Sequence, residues 1–147
     1  MLKFKFLILL FLLSNFGFSK SKLFYGKEYG KKVFVEMRDD SIATILIIQT
    51  NQRRHGCIYF LEPSEYIKSI HKYVMRFTKW QKNYWITNLM ATHKTESINH
   101  LPKEKVEIAK KRDWLYIFNL PDVSVDFPLR KVMKWEYARE EYARYLK

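Results

Sequence analysis

The strongest constraint on this chain is an eight-residue run, Ile42 to Gln49 (IATILIIQ). It is nearly all apolar and rich in β-branched residues. A segment apolar at both parities suits a central strand covered on both faces. Val33, Val35 and Met37 precede it on one face of a short strand. Asp39-Asp40 marks the turn between them. Gly56 to Leu61 (GCIYFL) follows after the polar stretch Thr50 to His55, and the three segments read as a meander.

Pro63 then opens a segment with helical spacing. Tyr66, Ile67, Ile70, Tyr73, Val74, Phe77 and Trp80 fall within about 140° of arc at 100° per residue, the width of a core-facing stripe. Proline in the first helical turn loses nothing by lacking an N–H. The spacing predicts a helix from Pro63 to Lys82 or Tyr84. Residues 84–104 are ambiguous, and the polar stretch Thr92 to Glu104 reads as loop. Further on, Val106 to Ala109 and Trp114 to Leu120 (WLYIFNL) read as strands, with Lys110 to Asp113 a charged turn. Val123, Val125 and Phe127 alternate with Ser124 and Asp126, the pattern of a half-exposed strand. Pro128 opens a second expected helix, Leu129 to Leu146. The expected fold is α+β: an antiparallel sheet of about five or six short strands packed against two amphipathic helices. Each half ends strand, proline, helix, which is consistent with a tandem β3α repeat.

The N-terminus reads as an address. Lys3 and Lys5 precede the apolar run Phe6 to Leu13, and Gly17 and Ser19 are small residues two apart. This three-part layout is that of a secretory signal cut after Ser19. The expected organisation is a signal peptide, 1–19, and a single domain, 20–147. A bilayer span needs about 20 apolar residues, so no stable span is expected after cleavage. The expected compartment is periplasmic or secreted.

Composition narrows the function. The 147 residues carry 27 Lys and Arg against 15 Asp and Glu, a net charge of +12, with 17% aromatics. That many aromatics excludes a disordered chain. A single cysteine excludes an intramolecular disulfide and any multi-cysteine zinc site. There is no H-E-x-x-H, G-x-S-x-G, Walker loop or G-x-G-x-x-G, and four glycines are too few for a phosphate-cradling loop. No cofactor or metal is expected, and the balance leans away from an enzyme.

Two local groupings remain. His55 and Cys57 would share a strand face, where an imidazole could activate a thiolate. The preferred reading is that Cys57 joins Tyr59 and Leu61 as a small buried residue. His93 and His100 lie in the expected loop without a well-placed carboxylate.

The second grouping is basic. On the expected first helix Lys68, Lys72, Arg76, Lys79 and Lys82 fall within about 120° of arc, opposite the apolar stripe. Like charges at this spacing cost about 1–2 kcal/mol in all. That cost suggests an anion-binding stripe, set against the plainer reading of a solvated helix face. Arg53-Arg54, Lys110-Lys111-Arg112, Arg130-Lys131 and Lys134 add to the positive field. Export argues against nucleic acid. The expected function is a non-enzymatic binding protein of the cell envelope, with a basic surface engaging an anionic envelope component or an acidic protein. The alternative is a secreted or periplasmic inhibitor or interaction protein.

Overall fold

The computed structural model describes residues 21–28, 30–39, 42–49, 54–85, 93–121 and 123–146. The expected signal segment lies outside them. The elements are β1 (Ser21–Glu28), β2 (Lys31–Arg38), β3 (Ile42–Gln49), β4 (Arg54–Ile67), a 3-10 turn (Lys68–Ile70), β5 (Lys72–Trp85), β6 (His93–Ser97), β7 (Val106–Lys111), β8 (Trp114–Phe118), β9 (Leu129–Lys131) and a helix, α1 (Tyr137–Tyr145).

Every pairing is antiparallel. β1 to β5 pair in sequence, then β5 with β7, β7 with β8, β8 with β9 and β9 back with β1. The result is a closed eight-stranded barrel, not the expected α+β sandwich. β6 lies outside the ring of eight. It pairs with the Gln81–Trp85 half of β5, while β7 takes Lys72 to Met75, so both share one edge of that strand.

The largest correction concerns Pro63 to Lys82. The expected helix is the end of β4, the 3-10 turn and most of β5. Tyr73, Met75 and Phe77 alternate inward with period 2 and are buried. The register then slips by one, leaving Thr78 between the pairs Leu61↔Phe77 and Phe60↔Lys79, and Trp80 points inward again. A second slip at Ser64 sits beside Pro63, and bulges are where a strand tolerates proline. Two bulges in a strand pair convert an alternating pattern into one with spacings of three, which imitates a helix.

Other elements also differ from expectation. Leu129 to Lys131 is strand, and helix begins only at Tyr137. Val123 to Phe127 is not a strand. It belongs to the β8–β9 connection, where Val125 is buried in the barrel core and Leu120, Val123 and Phe127 pack against it. His93 to Ser97, expected as loop, is β6.

Packing explains the apolar runs. Inside the barrel lie Phe24, Val33, Val35, Met37, Ala43, Ile45, Ile47, Tyr59, Leu61, Met75, Val106, Ile108, Leu115 and Leu129, among others. Tyr59 stacks on Trp80 with ring centroids 5.6 Å apart. A second cluster on the outer surface joins Leu23, Phe34, Leu46, Ile48, Ile58 and Val132 to Tyr142 of α1. β3 therefore buries Ile45 and Ile47 on one face and Leu46 and Ile48 on the other, so both of its parities are apolar. α1 is held by Tyr142 against Phe34, 5.6 Å between centroids, and by Lys32 Nζ to Glu141 Oε1 at 2.7 Å. That hydrogen bond raises the Lys32 ammonium pKa. Burial raises the pKa of the Tyr142 hydroxyl.

The ring closes on a narrow seam. β9 offers two paired residues to β1 and two to β8. Gly26 faces this seam, and a Cβ placed on it would lie 2.5 Å from Leu129 Cδ2 and 2.9 Å from Phe127 Cε2. Any larger residue would have to displace the side chains of Leu129 and Phe127.

Candidate anion-binding rim

Eight-stranded barrels either fill their interior with side chains or hold one small ligand there. Tyr59, Phe77 and Trp80 fill this one, so recognition falls to the rims. The β2–β3, β4–β5 and β7–β8 turns and the β9–α1 connection define one rim, here the lower. The β1–β2 turn and the β8–β9 connection lie at the upper rim.

An upper cleft of about 770 Å³ is lined by Tyr116 to Asn119 and the β8–β9 connection. Its charged group is Asp126, whose Oδ1 accepts from Ser124 Oγ at 2.6 Å. The nearest cation shown is Lys31, whose Nζ donates to the Ser124 carbonyl at 3.2 Å.

The lower cleft, about 570 Å³, is lined by Tyr66, Ile70, His71, Tyr73, Ala109, Lys110, Lys111, Arg112 and Tyr116. Tyr66 and Tyr73 face each other across the β4–β5 pair, with rings 4.5 Å apart. The Tyr66 hydroxyl and His71 Nδ1 share a hydrogen bond of 3.2 Å. Backbone contacts lock the turns together. Lys110 N–H donates to the His71 carbonyl at 3.1 Å, Lys131 N–H to that of Asp113 at 2.8 Å, and Val132 N–H to that of Leu23 at 2.7 Å. Lys110 Nζ reaches over the barrel mouth, 5.8 Å from the Phe24 ring centroid. In the β9–α1 connection, Met133 N–H and Arg130 hold the Glu136 carboxyl below its ordinary range.

Two residues here have left-handed backbone, His71 at φ 48° and Arg112 at φ 56°. Neither is a glycine, and for an L-residue this region costs about 1–2 kcal/mol. The Arg112–Asp113 turn thus keeps a cation where glycine would be less strained. Arg112→Gly is expected to raise stability by about 1 kcal/mol, as a higher urea midpoint.

Lys68, Lys111 and Arg112 are exposed at this rim, and none makes an ion pair with a carboxylate among the described residues. The structure does not bring the five expected stripe residues together. Lys68 is at the lower rim. Lys72, Arg76 and Lys79 follow the outer face of β5, and Lys82 shares the parity of Trp80 near the upper end. Along a strand, Lys72 to Lys82 spans about 33 Å, roughly twice the helical distance. Lys72 is paired with Glu107 at 2.9 Å and Arg76 with Glu62. Lys79 lies over Phe60, and Lys82 over Trp80, each 5.7 Å from the ring centroid.

Sequence reasoning placed Tyr66 and Tyr73 in a helical core and left Lys110 to Arg112 apart from Lys68. The available signal was the two-residue turn between the alternating segments VEIAKK and WLYIF. Cys57 is a half-buried free thiol packed against the barrel core. The side chains of His55 and His93 lie outside the described residues, and His100 is exposed. No cluster of three metal-ligating side chains occurs among the described residues. No family model, curated protein or solved structure matches the chain.

Proposed function

We propose that this is an exported, non-enzymatic binding protein of the cell envelope whose lower rim engages an anionic partner. The observation that carries the reading is that Lys111 and Arg112, without carboxylate partners among the described residues, line a concave tyrosine-bearing cleft, with Lys68 exposed in the β4–β5 turn that borders it. Hydroxyl and cationic donors surround an opening large enough for a phosphate, sulfate or carboxylate group. The packed barrel behind it supplies rigidity, which lowers the entropic cost of binding.

A soluble polyanion, dextran sulfate, tests the reading. Affinity is expected to fall steeply as salt screens the rim charges. Exposed charge contacts contribute up to about 1 kcal/mol each. The combined change Lys68→Glu, Lys111→Glu and Arg112→Glu should therefore weaken binding on the order of 100-fold. Lys79→Glu, away from the rim, should change it less than about threefold. Equal binding by the triple variant and the parent protein would refute the proposal.

A further inference from the structure

Among the described residues, seven of the ten exposed large apolar side chains lie towards one end of the barrel, while Leu101, Phe118 and Leu146 lie elsewhere. Ile42 follows the β2–β3 turn, Ile70 sits in the β4–β5 turn, Trp114 follows the β7–β8 turn, and Met133 and Trp135 occupy the β9–α1 connection. All five belong to the lower rim. Trp135 is 80% exposed and Ile70 56%. Tyr66 and Tyr137, also exposed, add amphipathic rings on the same side. Solvated apolar groups gathered at one end of a small barrel mark an interaction surface.

Their arrangement decides the partner. The five apolar residues project from four separate connections. A protein partner would need one continuous, closely packed patch. A fluid bilayer receives separated tips. The cations lie among them: Lys68, Lys111, Arg112 and Lys134 are exposed on the same turns. Apolar insertion combined with a basic cluster is the two-part signal that holds proteins on anionic membranes. Trp and Tyr are the side chains favoured at headgroup depth.

We infer that the lower rim docks end-on onto an anionic lipid bilayer. Ile42, Ile70, Trp114 and Trp135 enter the headgroup–acyl boundary, and the cleft between Tyr66 and Arg112 seats a lipid phosphate. This rests on the anion-binding reading above and names its partner. It requires no membrane-spanning element. No helix among the described residues is long and apolar enough to cross a membrane. A spanning barrel turns its apolar band outward, whereas the outer face of β5 carries Lys72, Arg76 and Lys79.

The experiment compares co-sedimentation with vesicles of phosphatidylcholine alone and with 30% phosphatidylglycerol. Every variant keeps the same N-terminus, so residues 1–20 cancel in the comparison. Capture should be at least about tenfold stronger on the anionic vesicles, with a blue shift of tryptophan emission. Each rim cation contributes about fivefold, so the triple Glu variant should lose at least about 100-fold. Ile42→Ser with Trp135→Ser, neither of which lines the cleft, should lose about tenfold on vesicles and keep full dextran sulfate binding. Vesicle capture unaffected by the Ser changes, with no blue shift, would overturn insertion and leave the anion reading intact. Binding of poly-glutamate without binding of anionic vesicles would overturn the lipid assignment in favour of an acidic polypeptide. Failure to bind dextran sulfate would overturn the reading beneath both.

Discussion

Met75→Ala is expected to destabilise the protein by about 3 kcal/mol, and Met75→Asp to prevent folding. Met75 is 0% exposed. It lies between Pro63 on β4 and Val106 on β7, which are its register partners. Truncating a fully buried methionine removes its transfer energy and leaves a cavity, about 2–5 kcal/mol in all. A carboxylate there would be buried without a partner. The same variant separates the barrel from the helix that the spacing suggests. In that helix Met75 would sit about 150° from the centre of the apolar stripe, in solvent, where substitutions cost within about 0.5 kcal/mol. Ile70 gives the converse. It would be central to the helical stripe, but it is exposed in the β4–β5 turn, so Ile70→Ala should cost under about 1 kcal/mol. Urea unfolding of both variants measures the difference. A harmless Met75→Ala beside a costly Ile70→Ala would rule the barrel out.

Gly26→Val should have the second large effect, about 2–3 kcal/mol. The added atoms enter the space of Leu129 and Phe127, at the point where β9 closes on β1. Relief requires the side chains of Leu129, which is fully buried, and Phe127 to shift beside a three-residue strand held by two register pairs on each side. Amide exchange should accelerate first at Leu129 to Lys131, while β2, β3 and β4 keep their protection. Wild-type stability in Gly26→Val would mean that the seam is looser than the Cβ distances indicate.

The legible parts of the fold were those where pattern and environment agree. β3 is apolar at both parities because one face lines the barrel and the other joins the outer cluster. The β7–β8 hairpin was readable as two strands around a charged turn. The hairpin of β4 and β5 was not. Bulges at Ser64 and Thr78 break strict alternation, and the broken series Tyr73, Phe77, Trp80 meets the helical criterion. Met75 was the residue in conflict, since a helix would have left it in water. β9 carries only three paired residues, too few to register as a strand. The candidate site was legible in its charge and not in its geometry. Lys68 and the Lys110 to Arg112 turn are distant in sequence, and it is the pairing of β5 with β7 that brings them to one rim. Of the five stripe residues, Lys68 lies in a rim turn, and Lys72, the first residue of β5, is paired with Glu107 beside it.

Closure through β1 and β9 also orders events during synthesis. β1 is made early, and its second partner arrives only after β8 and the long connection to Leu129. Until then the growing polypeptide presents two raw edges able to recruit strands from neighbouring molecules. A nonsense mutation late in the gene, anywhere before the codons for Leu129 to Lys131, would leave both edges permanently open and should yield aggregates rather than a trimmed but serviceable product.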